Sequence, residues 1–306
     1  MTWQQGLYQA IRMFGWPRLD RVCVAAITWQ GDGNDESTWD MTPYAGGQHF
    51  TGEAVARLLR ENDYRVLISQ HWMPGPMVAR MRELVPGLKI LMWCAVEAIQ
   101  ANPFRAQPLE WFALYTELSR RLLMGTDGQV INFYYGQQHE AAWAVDMLSP
   151  GLADAVVPLL VAGRRAHGYD GYFLDSVYDN VWFGTAPNAP PRYNRHAEWL
   201  QVTGGLRKAD PGAALWANTV GRCEPSYYGI DVAFAERYFV DWRDIGQAVD
   251  GLCQGLCVNT NGSDWATAPR RWKYLAHAMM AQGLGQLYVC TAWTGQQLFE
   301  PEWRWP

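Results

Sequence analysis

Eight short apolar runs punctuate the chain, at 22–27, 65–69, 89–96, 171–174, 213–218, 231–236, 255–259 and 286–290. They are continuous rather than alternating apolar and polar, so each predicts a strand buried on both faces, as in a parallel sheet covered by helices. Between them, apolar positions recur at helical spacing and predict helices over 3–14, 51–62, 77–84, 109–124, 151–167, 195–210, 241–250 and 269–282. Breakers agree with these limits. Gly15 and Pro17 end the first helix, Pro74, Gly75 and Pro76 form a loop before 77–84, Pro86 and Gly87 close it, and Pro150 is placed to open 151–167 at its first turn. The stretch 179–193 is rich in Pro and Asn and predicts a long loop. No helical pattern follows the eighth run, so the N-terminal helix or the Trp-rich tail must cover the last strand.

Strands alternating with helices predict a parallel α/β architecture. A chain of 306 residues without a Ser/Gly-rich linker or charge block fits one TIM (β/α)8 barrel domain over 1–306. Residues 125–148 then form an insertion after the third unit near the barrel mouth: a polar turn at 125–128, a β arm at 129–135 and an apolar run at 142–147. The alternative is a doubly wound sheet, which would normally bring a Gly-rich phosphate turn. No G-x-G-x-x-G follows the first run and no G-x-x-x-x-G-K-[ST] occurs in the chain.

The net charge of −5 is spread along the chain, which gives no electrostatic footprint for nucleic acid or an anionic membrane. No apolar run approaches the ~18 residues that span a bilayer, and residues 1–21 show no apolar core of a signal peptide. Of the six Cys, Cys23, Cys94, Cys257 and Cys290 fall inside apolar runs and read as small buried hydrophobes. Cys253 and Cys257 lack the second pair that zinc requires, and no cofactor or metal is expected. The loop 30–47 carries Asp32, Asn34, Asp35 and Glu36 without EF-hand spacing and reads as solvated. Asn261, Gly262 and Ser263 form an acceptor for glycosylation only in a secretory context. The 17 Trp, 15 Tyr and 10 Phe suit either a large aromatic core or a sugar-stacking cleft. Trp29, Trp72, Trp93, Trp182 and Trp293 are the candidates for stacking.

In a barrel of this type, functional groups sit at the C-terminal ends of the strands. Those ends supply Glu97, Asp175, Asn218, Glu236 and Asn259. In the fourth run Gly171, Phe173 and Asp175 share one face, and in the sixth Val232, Phe234 and Glu236 do the same. Asp175 and Glu236 thus hold corresponding positions one step above a Phe. Asp170 and Asp231, at the strand starts, lie roughly 16 Å lower at ~3.3 Å per residue and are assigned to the scaffold. A facing carboxylate pair is what glycoside hydrolysis needs, one ionised and one protonated. The competing reading, carboxylates paired structurally with Arg, stays open because Arg222 and Arg237 are near in sequence. A serine or zinc hydrolase lacks its parts, because there is no G-x-S-x-G, H-x-H or H-x-x-x-H.

The segment from Trp143 to Met147, the run Gly168 to Asp175, Leu215 to Asn218 and Asp231 to Glu236 together resemble a group of barrel glycoside hydrolases. The resemblance is to hypothetical glycosyl hydrolase family fifteen and to the endo-α-1,4-polygalactosaminidase-like family, with the dextranase family more distant. It implies a TIM-type barrel with Asp175 as nucleophile and Glu236 as acid/base, and with Asp146, Asn218 and Tyr178 lining a sugar subsite. Ser176 stands where these families often carry Asn or Glu. Trp29, Trp93, Glu97, Asn259 and Trp293 complete the expected substrate-binding set. The expected function is therefore cleavage of a polysaccharide by a two-carboxylate, retaining mechanism, with a carbohydrate as partner. The alternative is a silent carbohydrate-binding or structural barrel, as in a larger surface or virion assembly.

Overall fold

The computed structural model describes residues 23–28, 51–61, 64–69, 72–100, 108–133, 142–177, 187–190, 194–219, 229–235, 255–259 and 287–292. Within them the chain runs β1 (Cys23–Thr28), α1 (Gly52–Glu61), β2 (Tyr64–Ser69), α2 (Gly75–Leu84), β3 (Lys89–Cys94), β4 (Ala98–Gln100), α3 (Leu109–Ser119) and β5 (Ala142–Ala144). It continues through α4 (Leu152–His167), β6 (Gly171–Leu174), α5 (His196–Ala209), β7 (Ala214–Asn218), β8 (Val232–Ala235), β9 (Gly255–Asn259) and β10 (Leu287–Ala292).

Eight of these strands pair in parallel and close on themselves in the order β1-β10-β9-β8-β7-β6-β3-β2. The continuous apolar runs explain this, because such strands are covered on both faces. One face packs on helices. Met92, Cys94, Tyr172, Leu174, Leu215 and Ala217 join one buried cluster with Val55 and Leu59 of α1, Met81 of α2, Val156 and Leu160 of α4, and Val202 and Leu206 of α5. The other face fills the barrel, where Val66, Ile68, Leu91, Phe173 and Trp216 are buried outside that cluster. Side chains alternate along a strand, so Gly171, Phe173 and Asp175 share the inner face of β6.

Gly171 is required by close approach. A Cβ there would sit 2.1 Å from the Ala214 carbonyl oxygen on β7. Helix α4 is bounded by Gly151 and Gly168, both in the left-handed region, at φ 72° and 75°. The final turn carries Arg164, Arg165 and His167, which suit the negative end of the helix dipole.

Several boundaries differ from expectation. The third run stops as a strand at Cys94, and Ala98–Gln100 turns away to pair antiparallel with Ala142–Ala144. Helix α3 ends at Ser119, and Leu122 and Met124 instead make isolated bridges to Val145 and Val130. Within the described part of the expected arm at 129–135, Val130 and Asn132 make isolated antiparallel bridges to Met124 and Trp143. Pro150 does not open α4, because Gly151 takes the cap position and the helix begins at Leu152. Helix α2 begins at Gly75 and accommodates Pro76 in its first turn, where no N–H is needed. The predicted helices 3–14, 241–250 and 269–282 and the loop 30–47 lie outside the described residues.

Candidate active site

The inner face of β6 ends at Asp175, whose backbone N–H donates to the Cys94 carbonyl at 3.0 Å and extends the β3–β6 ladder by one residue. That bond fixes the Cα of Asp175 before its side chain is considered. The carboxylate Oδ1 accepts two hydrogen bonds of 2.9 Å, one from the Ser176 backbone N–H and one from Asn218 Nδ2. Asn218, the buried last residue of β7, also accepts the Val177 N–H on its carbonyl at 2.7 Å. One residue therefore holds both the carboxylate and the turn that follows it.

That turn is sharp. Ser176 has φ 52°, a left-handed conformation that costs a non-glycine residue roughly 1–2 kcal/mol. Its carbonyl accepts from Arg195 Nη2 at 3.1 Å. Arg195 is buried at the entry to α5 with its guanidinium 5.8 Å from the centre of the Trp199 ring. The strain at Ser176 is thus borne by bonds on both sides of the residue.

Glu97 lies beyond β3, beside Asp175. It is 2% exposed, its Oε2 accepts the Val96 N–H at 3.1 Å and its carbonyl accepts the Val145 N–H at 2.8 Å. Burial, followed by the charge of the Asp175 carboxylate, pushes its carboxyl up to about 8, while Arg195, its own backbone and the Ser176 hydroxyl pull the other way. Burial and the neighbouring anion thus both favour the protonated form of Glu97.

Below Asp175 the interior is aromatic. Trp93, Phe173 and Trp216 are register partners across β3, β6 and β7. The Trp93 and Phe173 rings meet edge to face at 6.3 Å. Trp72 donates its indole N–H to the Trp93 carbonyl at 2.7 Å and is 1% exposed, which removes it from the stacking candidates. Asp146 lies after β5, where its Oδ1 accepts the Leu148 N–H at 3.1 Å. Asn259 is the last residue of β9. Glu236, Tyr178, Trp29, Trp182, Trp293, Arg222 and Arg237 lie outside the described residues.

The two aspartates assigned to the scaffold are bound as scaffold. Asp170 accepts from Arg82, Lys89 and the Ile90 N–H, and Asp231 accepts from Arg207 and the Leu215 N–H. Sequence reading missed Arg195, and it singled out Ser176 only as a departure from the Asn or Glu of the families the chain resembles. Arg195 reads as an ordinary charged residue opening a helix, and Ser176 offers nothing by type that marks a left-handed turn. For Glu97 a signal existed, since a carboxylate flanked by Ala95, Val96, Ala98 and Ile99 predicts burial. Among the described residues no cluster of His, Cys, Asp and Glu is arranged to hold a metal ion, and no helix is long and apolar enough to cross a membrane.

No protein-family model matches the chain, and no curated protein is similar to it in sequence. Solved structures are similar in fold. Aspergillus fumigatus Ega3, in complex with galactosamine, superposes with a TM-score of 0.50 at 12% identity, covering 76% of this chain and 85% of its own. The GH36 α-galactosidase AgaA from Geobacillus stearothermophilus gives 0.52 at 11% identity, covering 92% of this chain and 40% of its own. The Flavobacterium johnsoniae GH31 dextranase, in complex with glucose, gives 0.51 at 13% identity, covering 92% of this chain and 38% of its own. This chain thus spans about two fifths of the length of the latter two. The neighbours are glycoside hydrolases, and at these identities the likeness is one of fold.

Proposed function

We propose that this protein is a glycoside hydrolase that cleaves an α-linked polysaccharide, with Asp175 as the nucleophile and Glu236 as the general acid/base. The observation that carries the proposal is the fixed carboxylate of Asp175 at the C-terminal end of an inward-facing strand of a closed parallel barrel, oriented by Asn218 and the Ser176 N–H. Catalytic groups of such barrels occupy this position. The glycoside hydrolase neighbours support the same reading, and the sugars held by two of them, galactosamine and glucose, define the first substrates to test.

In the proposed reaction a carboxylate oxygen of Asp175 attacks the anomeric carbon while Glu236 gives its proton to the departing glycosidic oxygen. Glu236, now ionised, then takes a proton from the water that releases the glycosyl–enzyme ester. The net stereochemistry is retention, which calls for a carboxylate separation of about 5 Å. Asn218 orients Asp175 throughout. Asp146, Tyr178, Trp29, Trp93, Asn259 and Trp293 are proposed to contribute sugar contacts.

The test is release of new reducing ends from a panel of galactosamine, galactose and glucose polymers. Wild-type protein is expected to cleave at least one, and Asp175→Asn to lower kcat by about 10³-fold or more with the fold intact. Binding to a polymer without any cleavage by the wild type would defeat the enzyme reading.

A further inference from the structure

The neighbouring strands β3 and β6 send their chains out of the barrel at the same end, and those chains meet again. Beyond β3 the backbone enters β4, which pairs with β5 in the small antiparallel sheet, and Leu122 and Asn132 bridge to Val145 and Trp143 at its edge. Beyond β6 it passes Asp175 on its way to α5, and Asn188 and Ala189 of that connection are seated on the insertion.

The seat is the turn 125–128, which is closed by bonds of its own. The Gly125 N–H donates to the Gln129 carbonyl at 2.7 Å, the Gly128 N–H to the Gly125 carbonyl at 3.0 Å, and the Gln129 N–H to Asp127 Oδ1 at 3.0 Å. What the closed turn leaves over is used on Asn188. The Thr126 N–H donates to the Asn188 carbonyl at 2.9 Å, and Asn188 Nδ2 donates to Asp127 Oδ1 at 3.0 Å and Oδ2 at 3.2 Å. Gly125 permits the approach, because a Cβ there would lie 2.7 Å from the Asn188 main-chain oxygen and 2.6 Å from its Nδ2. Ala189 packs against the buried cluster of Leu123, Ile131, Phe133, Ala142 and Ala144. A main-chain bond, a side-chain clamp and an apolar contact thus converge on two consecutive residues.

The clamp is exposed to solvent and adds little to global stability, so its consequence is local. None of the bonds that orient Asp175 passes through this seam. They come from the Cys94 carbonyl, the Ser176 N–H and Asn218, with Arg195 on the Ser176 carbonyl. The seam ties together the two segments that leave the barrel on either side of the nucleophile, while the nucleophile is held independently of it.

We propose that Asp127 and Asn188 are a positioning pair that fixes the β6–α5 connection to the insertion and thereby sets affinity for a polymeric substrate, leaving the chemical step unchanged. The inference rests on the glycosidase reading above for the nature of the substrate. A connection already fixed loses little conformational freedom when a polymer binds. One released from its seat must be ordered at that moment, which weakens binding.

The test uses three variants and the galactosamine, galactose and glucose polymers as probes. Asn188→Asp sets two carboxylates against each other, and Gly125→Ala wedges the seam open. The double variant Asp127→Asn, Asn188→Asp exchanges the partners, so that an amide again faces a carboxylate and its oxygen still accepts the Gln129 N–H. Asn188→Asp and Gly125→Ala should each raise KM for the cleaved polymer by about fivefold or more with kcat within about twofold of wild type, and the exchanged pair should restore KM to within about twofold. Hydrogen exchange of the Thr126 amide should quicken in Asn188→Asp and slow again in the exchanged pair. A wild-type KM in Asn188→Asp, a fall in kcat at constant KM, an exchanged pair no better than Asn188→Asp alone, or Thr126 exchange indifferent to Asn188→Asp overturns the proposal. If the wild type cleaves no polymer, the glycosidase reading fails, and the same variants are compared by Kd for a polymer that the wild type binds. Affinities that do not follow the same pattern, or binding to none of the polymers, then overturn the positioning role as well.

Discussion

At the scale of single residues, the site depends on how Asp175 is held. Asn218 supplies one of the two hydrogen bonds to Oδ1, and a hydrogen bond to a charged group is worth about 1.5–3 kcal/mol. Asn218→Ala deletes it and leaves the Val177 N–H bond to the main-chain carbonyl in place. We therefore expect a loss of roughly tenfold or more in kcat with a far smaller change in KM, and a native circular dichroism spectrum. A rise in KM alone would assign Asn218 to sugar binding instead. Ser176 makes a second prediction. At φ 52° a β-branched side chain is strongly disfavoured, so Ser176→Val should lower stability by about 2 kcal/mol, whereas Ser176→Gly should stay within about 1 kcal/mol of wild type. Urea midpoints distinguish the two, and equal losses would mean that the turn relaxes without strain. Asp175 stood out in the sequence because an apolar run stops at its carboxylate, a pattern that capping of the following turn fits equally well. The pairing with Asn218 was not legible, because nothing in either segment encodes the step between β6 and β7 that brings them to 2.9 Å.

That step belongs to the elements. Gly171 pairs with Ala214 at the start of β6 and β7, four residues before the Asp175–Asn218 bond closes the same two strands. A methyl group at Gly171 would meet main-chain oxygen at 2.1 Å, which no rotamer can relieve. Gly171→Ala should therefore force the strands apart, lowering stability by about 3 kcal/mol and weakening catalysis with it. Gly204 on α5 is the contrast. An added Cβ there meets nothing within 4 Å, so Gly204→Ala should stabilise by about 0.5–1 kcal/mol through helix propensity alone. Similar effects at both positions, read from thermal midpoints, would contradict the close-approach argument. The strands were legible because burial on both faces leaves an apolar run that needs no partner to be recognised. The region after β3 was not. Ala95, Val96, Ala98 and Ile99 prolong the apolar pattern, yet the chain leaves the barrel at Cys94 and pairs antiparallel with residues more than forty positions away. A local pattern cannot report a partner so distant in sequence.

For the whole molecule, buried acids of opposite tendency set the dependence of stability on pH. Asp210 bonds to the Tyr172 hydroxyl, Arg164 and Arg165. Burial opposes its ionisation, but these partners together outweigh burial and hold its carboxyl below the usual range. Its contribution is present above the unfolded value and is lost as pH falls through the folded one. Glu110, bonded to its own backbone and to His167, acts in the same direction. Glu97 and Asp231 act oppositely. Burial raises both, in Asp231 despite its ion pair with Arg207 at 2.6 Å. Each binds more protons folded than unfolded, so stability is full below the ordinary carboxylate range and declines as pH rises, for Glu97 up to about 8. Among these described groups, Asp210 and Glu110 thus favour the folded state above the ordinary carboxylate range, and Glu97 and Asp231 oppose it there. Calorimetric midpoints should therefore fall between about pH 5 and pH 8 and fall again on acidification below about pH 4. In Asp210→Asn the acid decline should be shallower, with a lower midpoint at neutrality because the two arginines lose their anion. A wild-type midpoint that stays level or climbs between pH 5 and pH 8 would mean that the raised carboxyls of Glu97 and Asp231 do not govern stability over that range.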